Sequence, residues 1–171
     1  MSLFYPSVMR ARITDITPED LRALGVRGLL LDVDNTLTTH GSQALEDSVR
    51  DWLERMAGEG FALTIVSNAL PRRVKPFAGK VGLRAIAFAC KPFPIGFFRG
   101  ARRLGLPRRA CAVIGDQVFT DILGARLGGF PSVLLEPIRN EKGKPTLRLK
   151  RWLEKGIRRR FLRKSAQTPA G

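Results

Sequence analysis

The sequence LLLDVDNTL, residues 29–37, decides the fold of this chain. Its apolar half predicts a strand that is buried on both faces of a sheet. Asp32 and Asp34 follow one residue apart, and in an extended chain their carboxylates point to the same side. Burying both carboxylates without partners would cost on the order of several kcal/mol. A divalent cation could neutralise them; the alternative is that both aspartates cap the turn after the strand.

The composition predicts one globular domain with an anionic partner. The chain has 171 residues, of which 44% are hydrophobic, enough for a domain with a core of its own. Its 30 Lys and Arg against 15 Asp and Glu give a net charge of +15, which favours a phosphate ester, nucleic acid or acidic lipid as partner. Cys90 and Cys111 make no metal-binding spacing, so we expect two buried thiols in a reducing compartment.

The sequence shows no signal for export or membrane insertion. Residues 1–12 lack the apolar core and cleavage site of a secretory leader. No run approaches the roughly 20 apolar residues that a membrane-spanning helix needs. We therefore expect a cytoplasmic protein, either soluble or peripheral at a membrane.

Apolar strands alternate with helices along the chain. The first strand is predicted to end at residue 33, and the others to span residues 61–66, 85–89, 111–114 and 132–135. Helices are predicted from residue 18 to about 25, from about 45 to 57, from 71 onward, from 96 to 104 and from 119 to 127. This alternation predicts an α/β protein with a five-stranded parallel sheet in a three-layer, Rossmann-like arrangement. Residues 1–146 would form this domain, and residues 147–171 a basic C-terminal helix and tail.

Polar groups follow four of the predicted strands. They are Asp32 with Asp34, Ser67 with Asn68, Lys91, and Asp116 with Asp121. The carboxyl ends of parallel strands lie at one edge of the sheet, where ligands bind, so these groups should converge on one site. Carboxylates suit Mg²⁺, a lysine balances a phosphoryl group, and hydroxyl and backbone N–H groups donate to phosphate oxygens. The set is typical of phosphoryl transfer, and the absence of a Walker lysine motif or GxGxxG argues against a nucleotide cradle.

The chain resembles the haloacid dehalogenase superfamily of phosphohydrolases in four ordered motifs. These are Asp32-Val-Asp34-Asn-Thr36, Ser67-Asn68, Lys91-Pro92 and Gly115-Asp116-Gln-Val-Phe-Thr-Asp121. Their spacing is similar to that of subfamily IIIA and its YqeG-like branch, which is similar to mitochondrial-type phosphatidylglycerophosphate phosphatases. The resemblance covers about residues 4–138. Members often insert a cap domain after the first or second motif; the spacing here leaves room for little more than one helix, so we expect no cap and an open site.

The resemblance also implies a role for each motif residue. Asp32 attacks phosphorus and forms an aspartyl-phosphate, and Asp34 protonates the leaving oxygen and then activates water. Mg²⁺ is implied on the Asp32 carboxylate, the Asp34 backbone carbonyl and Asp116. Ser67, Asn68 and Lys91 are expected to hold the phosphoryl group. Asp121 is expected behind the metal ligands, supporting them without binding the metal itself.

The C-terminal stretch LRLKRWLEKGIRRRFLRK, residues 147–164, is strongly basic. Apolar side chains recur along it near helical spacing: Leu149, Trp152, Leu153, Ile157 and Phe161. A basic amphipathic helix of this kind favours an anionic membrane surface. Packing of the apolar stripe on the domain is one alternative, and binding of RNA or ribosomes is another.

Three functions are consistent with these features. The first is a Mg²⁺-dependent phosphatase that works at a membrane on phosphatidylglycerophosphate or a similar phosphomonoester. The second is the same catalyst acting on a soluble phosphate ester. The third is a non-catalytic RNA- or ribosome-binding protein on the same scaffold, against which the complete set of motif residues argues.

Overall fold

A computed structural model of the chain describes residues 2–138 and 154–163. The strands are β1 (Val8–Arg10), β2 (Gly28–Leu31), β3 (Ala62–Val66), β4 (Ala85–Ile86), β5 (Cys111–Gly115) and β6 (Ser132–Leu135). The α-helices are α1 (Pro18–Ala23), α2 (Asp47–Gly58), α3 (Pro71–Lys80), α4 (Ile95–Leu104) and α5 (Leu123–Gly128). Short 3-10 helices span Ile13–Asp15 and Arg108–Ala110, a π-helical turn spans Val118–Ile122, and residues 154–163 form a C-terminal helix.

The strands form one parallel sheet in the order β1-β6-β5-β2-β3-β4. The prediction of five strands was wrong, because the N-terminal segment adds β1 beside β6, with Val8 opposite Val133. Three residues with no apolar run leave little trace in a sequence. The predicted strand 85–89 was too long: it ends at Ile86, because Phe88 and Cys90 adopt left-handed φ angles of 49° and 57° that a strand does not accommodate.

The sheet is covered on both faces, as the run of leucines predicts. Leu29 and Leu31 pack in the core layer that also contains Trp52 and Met56 of α2. Leu30 points the other way, into a second core layer with Phe97 of α4. Because neighbouring strand residues face opposite sides, β2 is buried on both and forms the middle of a three-layer α/β sandwich.

The start of α1 follows its sequence signature. Thr17 caps the helix by accepting a hydrogen bond from the Asp20 backbone N–H at 3.2 Å, and Pro18 occupies the first turn. The Asp20 carboxylate in turn accepts a hydrogen bond from the Thr17 N–H and pairs with Arg10, which ties α1 to β1. The capping box therefore also fixes the strand that the sequence analysis missed.

The two cysteines have different environments. Cys111 is buried on β5, as predicted, and burial raises the pKa of its thiol to about 11. The same prediction for Cys90 was wrong, because this residue lies in the loop after β4 and is exposed.

The C-terminal helix packs on the domain. Ile157 contacts the buried cluster formed by Val118, Ile122 and Leu134, and the ring of Phe161 lies 5.6 Å from that of Tyr5. This is the packing alternative for the amphipathic stripe. The rest of the stripe and the predicted boundary at residues 146 and 147 fall outside the described residues. Within residues 2–138 and 154–163, no helix has the length and hydropathy to cross a bilayer.

Candidate active site

The polar groups after the strands converge at the carboxyl edge of the sheet. Asp32 follows β2, Asp116 follows β5 and Ser67 follows β3, and these three strands are neighbours. Lys91 reaches the same place from the loop between β4 and α4. All four side chains are buried. The sheet thus brings together residues that are far apart in sequence, as the strand order requires.

Lys91 is the positive centre of the site. Its ammonium donates to Asp32 Oδ1 at 2.7 Å and to Asp121 Oδ1 at 2.6 Å. Burial disfavours the charged lysine, but the two carboxylates outweigh that penalty and raise its pKa. Burial raises the pKa of Asp32 from its ordinary value of 3.8 to about 6, although Lys91 opposes this rise.

Three buried carboxylates form a group that fits a metal ion. One oxygen each from Asp32, Asp116 and Asp121 lie within 4.8 Å of one another, a group found in the described part of the chain. Carboxylate oxygens are the hard donors that Mg²⁺ prefers, and these three lie close enough together to share one ion. The residues present therefore fit a divalent cation. Asp121 belongs to this group of carboxylates and also pairs with Lys91; its expected place behind the metal ligands stays a prediction.

Asp121 owes its position to an irregular turn and a glycine. It lies on the π-helical turn Val118–Ile122, a conformation common at functional sites. Its Oδ2 accepts a hydrogen bond from the Gln117 backbone N–H at 3.1 Å. A Cβ at Gly115 would lie 2.4 Å from Asp121 Cγ, so a side chain larger than hydrogen does not fit at the end of β5. The glycine of the Gly115-Asp116 motif thus makes room for a carboxylate six residues later.

Asp34 lies at the outer side of the site. Its Oδ1 accepts hydrogen bonds from Arg73 Nη2 at 2.9 Å and from the Gly41 backbone N–H at 3.0 Å, and His40 Nδ1 lies 3.8 Å away. The side chain of Asp34 is 16% exposed, compared with 7% for Asp32. Asp34 is therefore the carboxylate of the pair that is more open to solvent.

Arg73 is a site residue that the sequence analysis missed. It lies in the first turn of α3, where a cation is unfavourable next to the positive end of the helix dipole. Its pairing with Asp34 offsets this unfavourable position. Arg72 stands in the same turn, so the sequence does not single out Arg73.

Ser67 and Asn68 organise the loops beside the cluster. Ser67 is buried, and its Oγ accepts a hydrogen bond from the Ala69 backbone N–H at 3.2 Å. The amide of Asn68 donates to the Lys91 carbonyl at 3.0 Å and accepts from the Lys91 N–H at 2.7 Å. The Asn68 side chain thus holds the loop that carries Lys91. The expected contact with phosphate concerns a different group, the backbone N–H of Asn68.

The C-terminal helix reaches the site through Arg158. Its Nη2 donates to the backbone carbonyl of Asp116 at 2.7 Å and to that of Leu135 at 2.9 Å. One guanidinium therefore links the ends of β5 and β6 at the carboxyl edge of the sheet. The sequence offers no signal for this contact, because Arg158 stands among five arginines between residues 151 and 163.

The chain is similar in sequence to a family model and to two curated proteins. Residues 88–137 match the family model described as HAD-hydrolase-like. The chain is 37% identical over 154 residues to a Bacillus subtilis (strain 168) protein named Probable phosphatase YqeG. This match covers 90% of the present chain and 89% of the Bacillus protein. The chain is 30% identical over 156 residues to phosphatidylglycerophosphate phosphatase 1, chloroplastic/mitochondrial, of Arabidopsis thaliana. That match covers 85% of this chain and 44% of the plant protein, so the chain spans less than half of that relative.

Solved structures with low sequence identity share the fold. An uncharacterized protein from Listeria monocytogenes serotype 4b has a TM-score of 0.58 at 18% identity, covering 70% of this chain and 85% of that one. A cobalt-bound deoxy-D-mannose-octulosonate 8-phosphate phosphatase from Haemophilus influenzae has a TM-score of 0.50 at 15% identity, covering 66% and 69%. Because the match to the Bacillus protein extends over nearly all of both chains, this chain belongs to the YqeG-like phosphatases of the haloacid dehalogenase superfamily.

Proposed function

We propose that this phosphatase is a Mg²⁺-dependent phosphomonoester hydrolase that forms an aspartyl-phosphate and acts on phosphatidylglycerophosphate or a similar phosphate at a membrane surface. The observation that carries the proposal is Asp32, buried at the end of the central strand, with an oxygen 2.7 Å from the ammonium of Lys91. A carboxylate and a cation so placed provide a nucleophile and a binding group for one phosphoryl group.

The reaction proceeds in two balanced steps. An oxygen of Asp32 attacks phosphorus, the ester P–O bond breaks, and Asp34 gives its proton to the leaving oxygen. Water then attacks the aspartyl-phosphate while Asp34 takes one of its protons. The bond between phosphorus and Asp32 breaks, which releases inorganic phosphate and restores the carboxylate. The more solvent-open position of Asp34 suits a residue that meets both the leaving oxygen and the attacking water.

The remaining residues bind and orient the phosphoryl group. Lys91, the Ser67 hydroxyl and the Asn68 backbone N–H donate to its oxygens, and Asp121 holds the Lys91 ammonium at 2.6 Å. Asp32, Asp116 and the Asp34 carbonyl would hold Mg²⁺, with Asp121 beside them. When bound, the ion supplies positive charge opposite the oxygens of the transferred group.

The shape of the site supports a bulky substrate at a surface. Residues 32–46 connect β2 to α2, and α3 is the helix between β3 and β4, which leaves no insertion large enough for a cap domain. A site without an inserted cap suits a phosphate carried on a lipid. The Arabidopsis relative is named as a phosphatidylglycerophosphate phosphatase, which supports this lipid as the first substrate to test and a peripheral membrane location.

The test is phosphate release with Mg²⁺ or EDTA from three substrates: phosphatidylglycerophosphate in vesicles, glycerol 3-phosphate and p-nitrophenyl phosphate. We expect Mg²⁺-dependent release that is fastest with the lipid and is lost in Asp32→Asn and Asp34→Asn. Activity that survives Asp32→Asn would contradict the covalent mechanism. Faster release from soluble esters than from the lipid would favour a soluble substrate, and no release from any ester would favour the binding role.

A further inference from the structure

The charge of the chain is unevenly distributed along the sequence. Between Glu59 and Asp116 there is no acidic residue. The same stretch contains Arg72, Arg73, Lys75, Lys80, Arg84, Lys91, Arg99, Arg102, Arg103, Arg108 and Arg109. Besides the inner strands β3 and β5, it forms α3, the edge strand β4 and α4. Helices α3 and α4 pack on opposite faces of the sheet, so the basic side chains surround the β4 edge from both faces. A surface of this kind attracts an anionic partner.

The same stretch exposes large apolar side chains. The exposed fractions are 46% for Leu70, 62% for Phe88, 66% for Phe93, 61% for Ile95 and 40% for Phe98. We call these five residues the rim patch. Single exposed apolar residues are common, but several in one short stretch indicate an interaction surface.

Backbone contacts place the rim patch at the mouth of the site. The Phe88 N–H donates to the Ala69 carbonyl at 3.0 Å, which brings Phe88 next to Leu70. Phe88 and Phe93 flank Lys91, whose side chain is buried and points inward to Asp32. One short loop therefore carries an inward cation for the phosphoryl group and outward rings on either side of it.

Helix α4 extends the patch with an alternation of apolar and basic groups. Ile95, Phe98, Arg99 and Arg102 follow the spacing of one helix face, and all four are exposed. The opposite face, with Phe97, is buried against the sheet. A face with aromatic and aliphatic side chains beside arginines matches the boundary between lipid headgroups and acyl chains.

We infer that the rim patch docks on an anionic bilayer surface and thereby presents the site to phosphate groups in the headgroup layer; this inference names the partner surface for the proposed function and rests on it. Lys91 is buried and Arg73 pairs with Asp34, but the other nine cations are exposed, and with the lack of acids in this stretch they provide charge complementarity to acidic lipid. Leu70 and Ile95 have no ring to stack on a base, so the patch suits lipid better than RNA. Ile157 and Phe161 of the C-terminal helix already pack on the domain.

The test is flotation with vesicles of phosphatidylcholine alone and of phosphatidylcholine with 30% phosphatidylglycerol, using the full chain. We expect binding to the anionic vesicles only. The double variant Phe93→Ser/Ile95→Ser should bind at least about tenfold more weakly, because both side chains are solvent-exposed and lose only their contact with lipid. The matched control is Leu162→Ser, which removes a side chain that is 55% exposed on the C-terminal helix and should bind like the wild type.

The outcomes separate docking from catalysis. The double variant should hydrolyse p-nitrophenyl phosphate like the wild type, which shows that it is folded. Three results would overturn the docking inference. They are equal vesicle binding by the wild type and the double variant, weaker vesicle binding by Leu162→Ser alone, and binding to poly(U) in place of vesicles. Hydrolysis of soluble esters by a wild type that does not bind vesicles would also overturn the docking inference, but it would leave the proposed chemistry intact. Vesicle binding without turnover of any ester would leave docking intact and refute the proposed function.

Discussion

Replacing Asp32 with asparagine should abolish activity and at the same time stabilise the metal-free protein. Burial raises the pKa of Asp32 from 3.8 to about 6, so above pH 6 the native state holds a carboxylate that burial disfavours. The difference between the two pKa values corresponds to about 3 kcal/mol in favour of unfolding. Asparagine removes this charge and keeps an oxygen that can accept the hydrogen bond from Lys91. We therefore expect a gain of about 1–3 kcal/mol in the free energy of unfolding at pH 8.

The sign of the pH dependence makes this expectation specific. Below about pH 4 both states hold the proton and Asp32 has no effect on stability. Between pH 4 and 6 the unfolded chain loses the proton first. The contribution of Asp32 to the free energy of unfolding of the wild type therefore falls as pH rises, and it stays low above pH 6. The measurement is urea or thermal unfolding in EDTA at pH 5, 6, 7 and 8, where the gain corresponds to several °C. Mg²⁺ should stabilise the wild type and not the variant. A variant that is less stable than the wild type at pH 8, or a difference that does not depend on pH, would refute the reasoning.

Two further expectations follow from contacts outside the acidic cluster. Arg158→Ala should raise the Mg²⁺ concentration needed for half-maximal activity several-fold, because the Asp116 carbonyl loses its 2.7 Å hydrogen bond. Arg159 is exposed, and Arg159→Ala should not change this concentration. Equal Mg²⁺ titrations for both variants would contradict this expectation. Cys90 should react with iodoacetamide in the native protein and Cys111 only after unfolding, since Cys111 is buried and its pKa is raised to about 11. Mass spectrometry of the two peptides checks this, and native labelling of Cys111 would show that β5 opens.

The sequence predicted the elements whose apolar pattern is regular. The leucines of β2 are buried on both faces as expected, and α2 places Trp52 in the core, where its Nε1 donates to the Ile16 carbonyl at 2.8 Å. The convergence of Asp32, Lys91 and Asp116 was predictable for a different reason. Parallel strands put their carboxyl ends at one edge whatever their order, so the site did not depend on correct strand boundaries.

Features that depend on contacts between distant segments were not predictable. β1 is a strand because three residues pair with β6, and its own sequence contains no strand pattern. Arg73 and Arg158 approach the site from α3 and the C-terminal helix, and no local pattern distinguishes them from the other arginines. Asp121 was expected at the site, but the π-helical turn and the close approach to Gly115 that bring it into the carboxylate cluster are matters of backbone geometry.

The backbone strain of this protein is concentrated where the chemistry is proposed. Among the described residues, the non-glycine residues with left-handed φ angles are Asn35, Phe88 and Cys90. Asn35 directly follows Asp34, and the other two lie in the loop that delivers Lys91. Each such residue costs on the order of 1–3 kcal/mol and persists only where the surroundings over-determine it. The bidentate contact of Asn68 with the Lys91 backbone and the fully buried leucines of β2 provide that constraint. The central sheet thus holds a strained, charged edge in place, which is the arrangement expected of a site shaped for its ligand rather than for stability.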